Sequence, residues 1–460
     1  MSLTFLLLAI ALLCALSFFF GRQRAVGLSG GRYSNLHSLP VHYGVYTALW
    51  CGLPALFIVM VWYGFQGTII QALIVADLPD SLTSDPGQLS LALNSIGLLS
   101  EGRGAHLAGA APELIDAGRR LANLKSIASG ALVVVMVCGA LLGLIFSYRK
   151  ITKDMRARNN VERIARGLMM ICSAIAILST VGIVFSLMFE SLQFFTKISP
   201  LDFLFGLEWS PQTAIRADQV ASEGAFGMIP LFVGTLLITF IAMCVAVPVG
   251  LFSAIYMGEY ASPKFRAVAK PALEILAGVP TVVYGFFAAL TVAPFIRNQG
   301  SLLGLDVSSE SALAAGLVMG LMIIPFVSSL SDDVMSQVPQ SLRDGSYGLG
   351  ATKSETIRNV IFPAALPGIV GAVLLAVSRA VGETMIVVMA AGLAANMTAN
   401  PLQAVTTVTV QIVTLLVGDQ EFDSAKTLSA FALGLVLFLV TLGLNVFALK
   451  IVKKYREKYD

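Results

Sequence analysis

The sequence predicts an all-α, polytopic membrane protein, a transmembrane helical bundle of about nine helices. Three observations carry this. First, 57% of the residues are hydrophobic and only 12% are charged. Soluble domains sit nearer a quarter charged, so lipid must be the solvent for much of this surface. Second, nine segments each hold the run of about 20 mostly apolar residues that a hydrocarbon core demands. Third, Lys and Arg collect in alternate loops, as they do when basic loops stay on the cytoplasmic side.

The expected spans are 2–20, 44–64, 126–147, 167–194, 228–256, 271–296, 311–330, 364–393 and 427–450. No basic residue precedes Leu3–Phe20, whereas Arg22 and Arg24 follow it. A signal peptide has the reverse order, so this run reads as a retained helix with its N-terminus outside. The other loops then alternate. Arg22, Arg24 and Arg32 lie inside, as do the seven basic residues of 148–166 with Arg149, then Lys264, Arg266 and Lys270, then Arg343, Lys353 and Arg358, then the C-terminus from Lys450 to Lys458. These make up 21 of the 30 basic residues. The expected organisation is a three-helix unit, 1–147, with an outside loop, 65–125. A basic cytoplasmic connector, 148–166, follows, and then a six-helix unit, 167–460. Within the outside loop, Pro112–Leu124 carries Glu113, Asp116, Arg119 and Arg120 and reads as an amphipathic helix lying on the membrane face.

Several function classes are excluded or disfavoured. There is no basic tail or motif for nucleic acid. Cys14, Cys51, Cys138, Cys172 and Cys244 sit singly in apolar runs and read as small apolar filler. His37, His42 and His106 have no second ligand at metal spacing, so no metal site is expected. Loop 331–363 holds Gly345, Gly348 and Gly350 but is not an ATP-binding P-loop. That motif needs Gly and Lys adjacent, and here Ala351 and Thr352 separate Gly350 from Lys353.

The same loop, SDDVMSQVPQSLRDGSYGLGATKSETIRNVIFP, resembles the signature loop of permeases in ATP-binding cassette importers. Asp344-Gly345-Ser346 stands where that family has Glu-Ala-Ala, Gly350 is the following glycine, and Val360-Ile361-Phe362-Pro363 closes the motif. The flanking sequence narrows the resemblance to the PstC-type permease subunits of phosphate importers, over the whole of 167–460. It rests on Leu207-Glu208-Trp209-Ser210-Pro211, Phe226-Gly227-Met228-Ile229-Pro230, Gly234-Thr235-Leu236, the stretch Leu276–Gly285 and Ser378-Arg379-Ala380-Val381-Gly382-Glu383-Thr384.

The resemblance implies a six-helix permease core of the type I importer kind. It also implies a multi-pass subunit of a bacterial inner (plasma) membrane that translocates phosphate, binds no cofactor and has no ATPase site of its own. Implied partners are a second, homologous permease chain, two cytoplasmic ATP-binding subunits and an extracytoplasmic phosphate-binding protein touching loops 195–227, 297–310 and 394–426. The loop at 331–363 would couple to the ATPase: Leu342, Tyr347 and Leu349 would seat in an apolar groove, and Gly350 would let the chain turn. Helices 1–147 look like the N-terminal extension of longer members and receive no role.

One charge pair stands inside an expected span. Arg379 and Glu383 are four residues apart, hence on one helical face, and can partly neutralise each other. Arg379 lies 16 residues after Pro363, about 24 Å along a helix, past the midplane. An ionisable group there costs roughly 2.5–3.5 kcal/mol and usually faces a polar path. Two readings are open, a structural ion pair and a contact for phosphate in passage. A guanidinium suits an oxyanion through bidentate hydrogen bonds, and the resemblance implicates the matching arginine and glutamate in transport. Glu190 and Glu274 read as interfacial charges. Three alternatives remain: a permease for another oxyanion, an ATP-independent secondary transporter, which would need more intramembrane carboxylates, and a non-transporting membrane scaffold.

Overall fold

The computed structural model describes residues 3–30, 33–79, 86–100, 112–211, 224–417 and 424–455. His106, Lys458 and parts of the expected outside loops lie outside the described residues. Among the described residues, nine helices are long and apolar enough to cross a membrane. Contacts divide the chain into two compact units, Met1–Ile177 and Leu178–Asp460.

The first unit contains α1 (Leu3–Ser29), α2 (Pro40–Val75), α3 (Pro86–Ser100), α4 (Pro112–Lys150) and the start of α5 (Ala157–Lys197). Spans α1, α2 and α4 pack through Leu6, Ile10, Ala55, Val59, Leu132 and Met136. Lipid offers no hydrophobic drive between helices, so close backbone approach and hydrogen bonds join them. Gly143 supplies the approach: a Cβ there would meet the Trp50 carbonyl oxygen. Ser17 Oγ donates to the Thr47 carbonyl (2.9 Å), and Thr47 Oγ1 donates back to the Ser17 carbonyl (2.8 Å).

One expectation changes in this unit. Pro112–Leu124 is not a separate surface helix but the first part of α4, a continuous 39-residue helix. No proline interrupts the chain between Leu124 and the apolar run, so nothing stops the helix. Residues of the connector at 148–166 pack within this unit. Ile151 and Ala157 are buried beside Ala25 and Tyr43, and the Tyr43 hydroxyl donates to the Met155 carbonyl (2.9 Å). The partition of contacts falls at Ile177, inside α5.

The second unit opens with the rest of α5 and a short α6 (Pro200–Phe205). The two-residue strands β1 (Trp209–Ser210) and β2 (Ala225–Phe226) then pair antiparallel. They set Trp209 against Phe226 beside Phe194, Phe203 and Leu231. Thus two of the motifs that carried the resemblance form one aromatic cluster. Its polar atoms are satisfied: Trp209 Nε1 donates to Gln411 Oε1 at 3.0 Å, and Gln411 Nε2 donates to the Leu393 carbonyl and to Thr406 Oγ1, each at 3.2 Å.

Next come α7 (Ile229–Tyr260), α8 (Pro263–Ala277), α9 (Thr281–Leu302) and α10 (Ala312–Ser336). Helices α7 and α10 form the centre of the unit, with Ile238, Ala242, Ala315, Met319 and Ile323 wholly or almost wholly buried. Gly316 and Gly320, one turn apart on α10, lie against Ile241 and the Ala242 carbonyl, a small-residue seam of the kind membrane helices use. The expected span 271–296 divides in two. Gly278 and Pro280 end α8 and restart the chain as α9, because proline lacks a donor and forces its predecessor out of the helical region.

The unit closes with α11 (Gln340–Gly348), α12 (Lys353–Val381), α13 (Met385–Ala390), α14 (Val408–Leu416) and α15 (Ala425–Tyr455). A π-turn at Ile357–Ile361 lies just before Pro363. The wider turn accommodates a residue with no N–H and a ring that would strike the preceding turn. The expected span 364–393 stops at Val381, with Gly382 as its C-cap.

Candidate functional site

Two features of the second unit bear on function, the loop after α10 and a charged cavity beside it. The loop residues form α11, a nine-residue helix with exposed Asp344, Gly345 and Tyr347. Its end is a full Schellman turn. The Gly350 N–H donates to the Tyr347 carbonyl (2.9 Å) and the Ala351 N–H to the Ser346 carbonyl (3.2 Å). Gly350 has φ +86°, the left-handed conformation that such a turn requires. A capping box then starts α12: Glu355 accepts from the Thr352 N–H at 2.8 Å, and Thr352 Oγ1 accepts from the Glu355 N–H at 3.4 Å. The Ser346 and Thr356 hydroxyls hydrogen-bond at 2.9 Å and tie α11 to α12.

Leu342 does not face outward with Tyr347. It packs on the unit's own cluster of Met335, Val338, Ile357 and Ile361. The exposed apolar residues are Tyr347 and Leu349, the latter 91% exposed. From beneath, Arg343 anchors the helix. Its guanidinium forms an ion pair with Glu259 at the end of α7 and donates to the Met335 carbonyl at 2.8 Å. Both side chains of that pair are largely buried. Sequence reasoning missed Glu259, which lies 84 residues from its partner.

The cavity, about 270 Å³, lies among α8, α10 and α12. Arg379 lines it, with its guanidinium 5.8 Å from the Phe326 ring centroid, in the range of a cation–π contact. The expected partnership with Glu383 does not form. Helix α12 ends at Val381, so Glu383 is not one turn further along the same face. Its Oε1 instead accepts from the backbone N–H of Met385 (3.1 Å) and Ile386 (3.5 Å), at the start of α13. Among the described residues, no ion pair joins Arg379 to an acid.

The acids and bases that do pair lie six residues along α10 from Phe326. Asp332, whose side chain is 4% exposed, accepts from Arg266 Nη2 at 3.0 and 2.8 Å and from Lys270 Nζ at 3.0 Å. The hydrogen bond to Asp332 raises the pKa of Lys270 above the ordinary lysine value, against the opposing effect of burial, so this group stays a cation. Arg266 and Lys270 are four apart on α8 and therefore share a face. That shared face was legible from the spacing, but nothing in it named Asp332 as the partner, and charge counting assigned all three to loops.

Comparison with known proteins agrees with this architecture. Residues 246–457 match the family described as "Binding-protein-dependent transport system inner membrane component", and residues 7–179 match one described as "Phosphate ATP-binding cassette transporter". The probable ABC transporter permease protein YqgH of Bacillus subtilis is 35% identical over 280 residues, 60% of this chain and 86% of that one. The phosphate transport system permease protein PstC 1 of Mycobacterium tuberculosis is 34% identical over 283 residues, covering 56% and 83%. A solved bacterial alginate ABC transporter matches at TM-score 0.44 and 15% identity, covering 66% of this chain and 99% of that one. The chain belongs to the binding-protein-dependent transport permeases, the membrane-spanning components of ATP-binding cassette transporters. It is a multi-pass membrane protein and a transport component.

Proposed function

We propose that this chain is a permease subunit of an importer for inorganic phosphate, driven by separate ATP-binding subunits and without an ATPase site of its own. The observation that carries the substrate is the 34% identity to a phosphate transport permease across 83% of its length. Residues 1–147 are its N-terminal extension and 167–460 its six-helix permease domain. The N-terminus lies outside and the C-terminus in the cytoplasm. Its partners are a homologous permease chain, two ATP-binding subunits and an extracytoplasmic phosphate-binding protein.

In this reading the coupling element is the loop 331–363. Helix α11 offers Tyr347 and Leu349 to the ATPase, Asp344, Gly345 and Ser346 lie along it, Gly350 turns the chain and Pro363 sets the start of the span. Leu342 and Arg343 fasten the helix to the permease. Arg379 is the oxyanion contact in the translocation pathway. Glu383 positions the chain after α12 through its backbone hydrogen bonds, and Arg379 keeps its charge free for substrate.

The test is uptake of radiolabelled phosphate by cells or proteoliposomes carrying the assembled transporter. Gly350→Gln is expected to insert normally, release the ATP-binding subunits on purification and lose uptake, since an L-residue in this conformation costs roughly 1–2 kcal/mol and would redirect the turn. Arg379→Gln is expected to keep those subunits and lose uptake. Normal uptake by either stable variant would refute the role given to that residue. For orientation, a cysteine-free chain with Ser90→Cys should react with an impermeant thiol reagent added outside, and one with Asn159→Cys should not. The opposite pattern would invert every helix.

A further inference from the structure

Arg379 is not the only cation lining the cavity. Lys270 lines it too, as do Ser328 and Asp332. Phe326, under Arg379, and Asp332, under Lys270, are six residues apart on α10, about 9 Å along the axis. Ser328 lies between them on the same helix. It is fully buried, and its hydroxyl has no hydrogen-bond partner. A serine in a membrane helix normally donates to a carbonyl one turn back, because an unmade hydrogen bond in a buried setting costs about 1–3 kcal/mol. A hydroxyl left unpaired beside a cavity that also holds Arg379 and Lys270 is a donor waiting for a guest.

We propose that Arg379, Ser328 and Lys270 are successive stations of one oxyanion route, and that Asp332 is the internal counter-ion holding Lys270 when no anion is there. The inference rests on the reading of this chain as an oxyanion permease and adds the lower two stations to it. Three features favour it. Each station can donate, and a tetrahedral oxyanion presents mainly acceptor oxygens: the guanidinium fork, a hydroxyl and an ammonium suit it in turn. The cavity far exceeds the ~10–15 Å³ that one water needs, so an anion can move with part of its hydration. Lys270 can also leave Asp332 without stranding it, because Arg266 keeps both hydrogen bonds to that carboxylate. A buried carboxylate with a single partner would be left unpaired by such a swap, at a cost of several kcal/mol. Glu274, one turn beyond Lys270 and exposed at the cavity, repels an anion, which confines the favourable track to the α10 side.

The assembled transporter in proteoliposomes tests this with inorganic phosphate. Lys270→Gln is expected to lower the initial uptake rate at least about tenfold while the ATP-binding subunits still co-purify, and Lys270→Arg to recover much of it, as for loss of a charge-assisted contact. In a cysteine-free background, Ser328→Cys is expected to react with the anionic reagent methanethiosulfonate ethylsulfonate, and phosphate is expected to slow that reaction. Wild-type uptake by Lys270→Gln would overturn the proposal. So would a Ser328→Cys thiol that is unreactive, or one whose reaction is indifferent to phosphate. If Lys270→Gln fails to assemble, the thiol experiment decides alone, since it keeps Lys270. If the wild-type transporter carries no phosphate, the substrate reading fails separately. Protection of Ser328→Cys by sulfate would then support the route, and protection by neither anion would overturn it.

Discussion

At one end of the Leu178–Asp460 unit, Phe194, Phe203, Trp209 and Phe226 pack edge to face around a neutral Trp209–Gln411 hydrogen bond. At the other end, Asp332 gathers Arg266 and Lys270, and Arg343 meets Glu259. The two ends fasten different helices: α5, α6 and α14 at the aromatic end, and α7, α8, α10 and α11 at the ionic end. The aromatic end gains by dispersion and by edge-to-face geometry, which holds in one arrangement only. At the ionic end the buried Arg343–Glu259 pair is a fixed fastener, whereas the part-exposed Lys270 can exchange Asp332 for water or an incoming anion. A permease has to open somewhere, and the contrast teaches that the exchangeable bonds are placed beside the loop proposed to meet the ATPase.

The comparison can be broken most forcefully at Arg343. Arg343→Met leaves Glu259 buried and unpaired, and stability should fall by about 3–5 kcal/mol. The double variant Glu259→Gln with Arg343→Met should recover most of it. Thermal unfolding of the purified complex in detergent checks both, and an unchanged transition in Arg343→Met would show that the pair bears no load. The next effect is at the aromatic end. Gln411→Leu strips the Trp209 N–H of its acceptor, at an expected cost of ~1–3 kcal/mol. The ATP-binding subunits should still co-purify, because this end is remote from the loop proposed to meet them. The smallest effect on stability is at Lys270. Lys270→Met should shift unfolding by only ~0–1 kcal/mol, since the side chain is a third exposed and Arg266 still serves Asp332. A large loss of stability there would make Lys270 a fastener like Arg343 and erase the distinction drawn between the two ion-pair groups.

The spans were legible because each is a long apolar run, and lipid demands that of any helix crossing it. Their interruptions were less so. Gly382 looks like any of the glycines scattered through apolar helices, and only the short α13 that follows reveals it as a stop. Reading through it put Glu383 one turn above Arg379 and made a pair that does not exist. The thirteen residues before the third span failed in the opposite direction. Their charges suggested a separate surface helix, yet charge does not end a helix and no proline stood in the way. The turn at Gly350 was legible from its glycine, and the Thr352–Glu355 capping box could have been read from T-x-x-E. Arg343–Glu259 and Lys270–Asp332 could not. They join residues 84 and 62 positions apart, and local spacing carries no information about partners that distant.

The turn at Gly350 makes a demand of handedness rather than of size. Its φ is +86°, yet a Cβ built there would meet nothing within 4 Å. Room is therefore not what keeps larger residues out. An L-alanine would be strained by its own backbone, whereas a D-alanine has that conformation as its natural preference. A permease assembled by semisynthesis with D-alanine at 350 should keep the corner that L-alanine loses, so mirror-image substitution can separate the shape of the loop from the space around it.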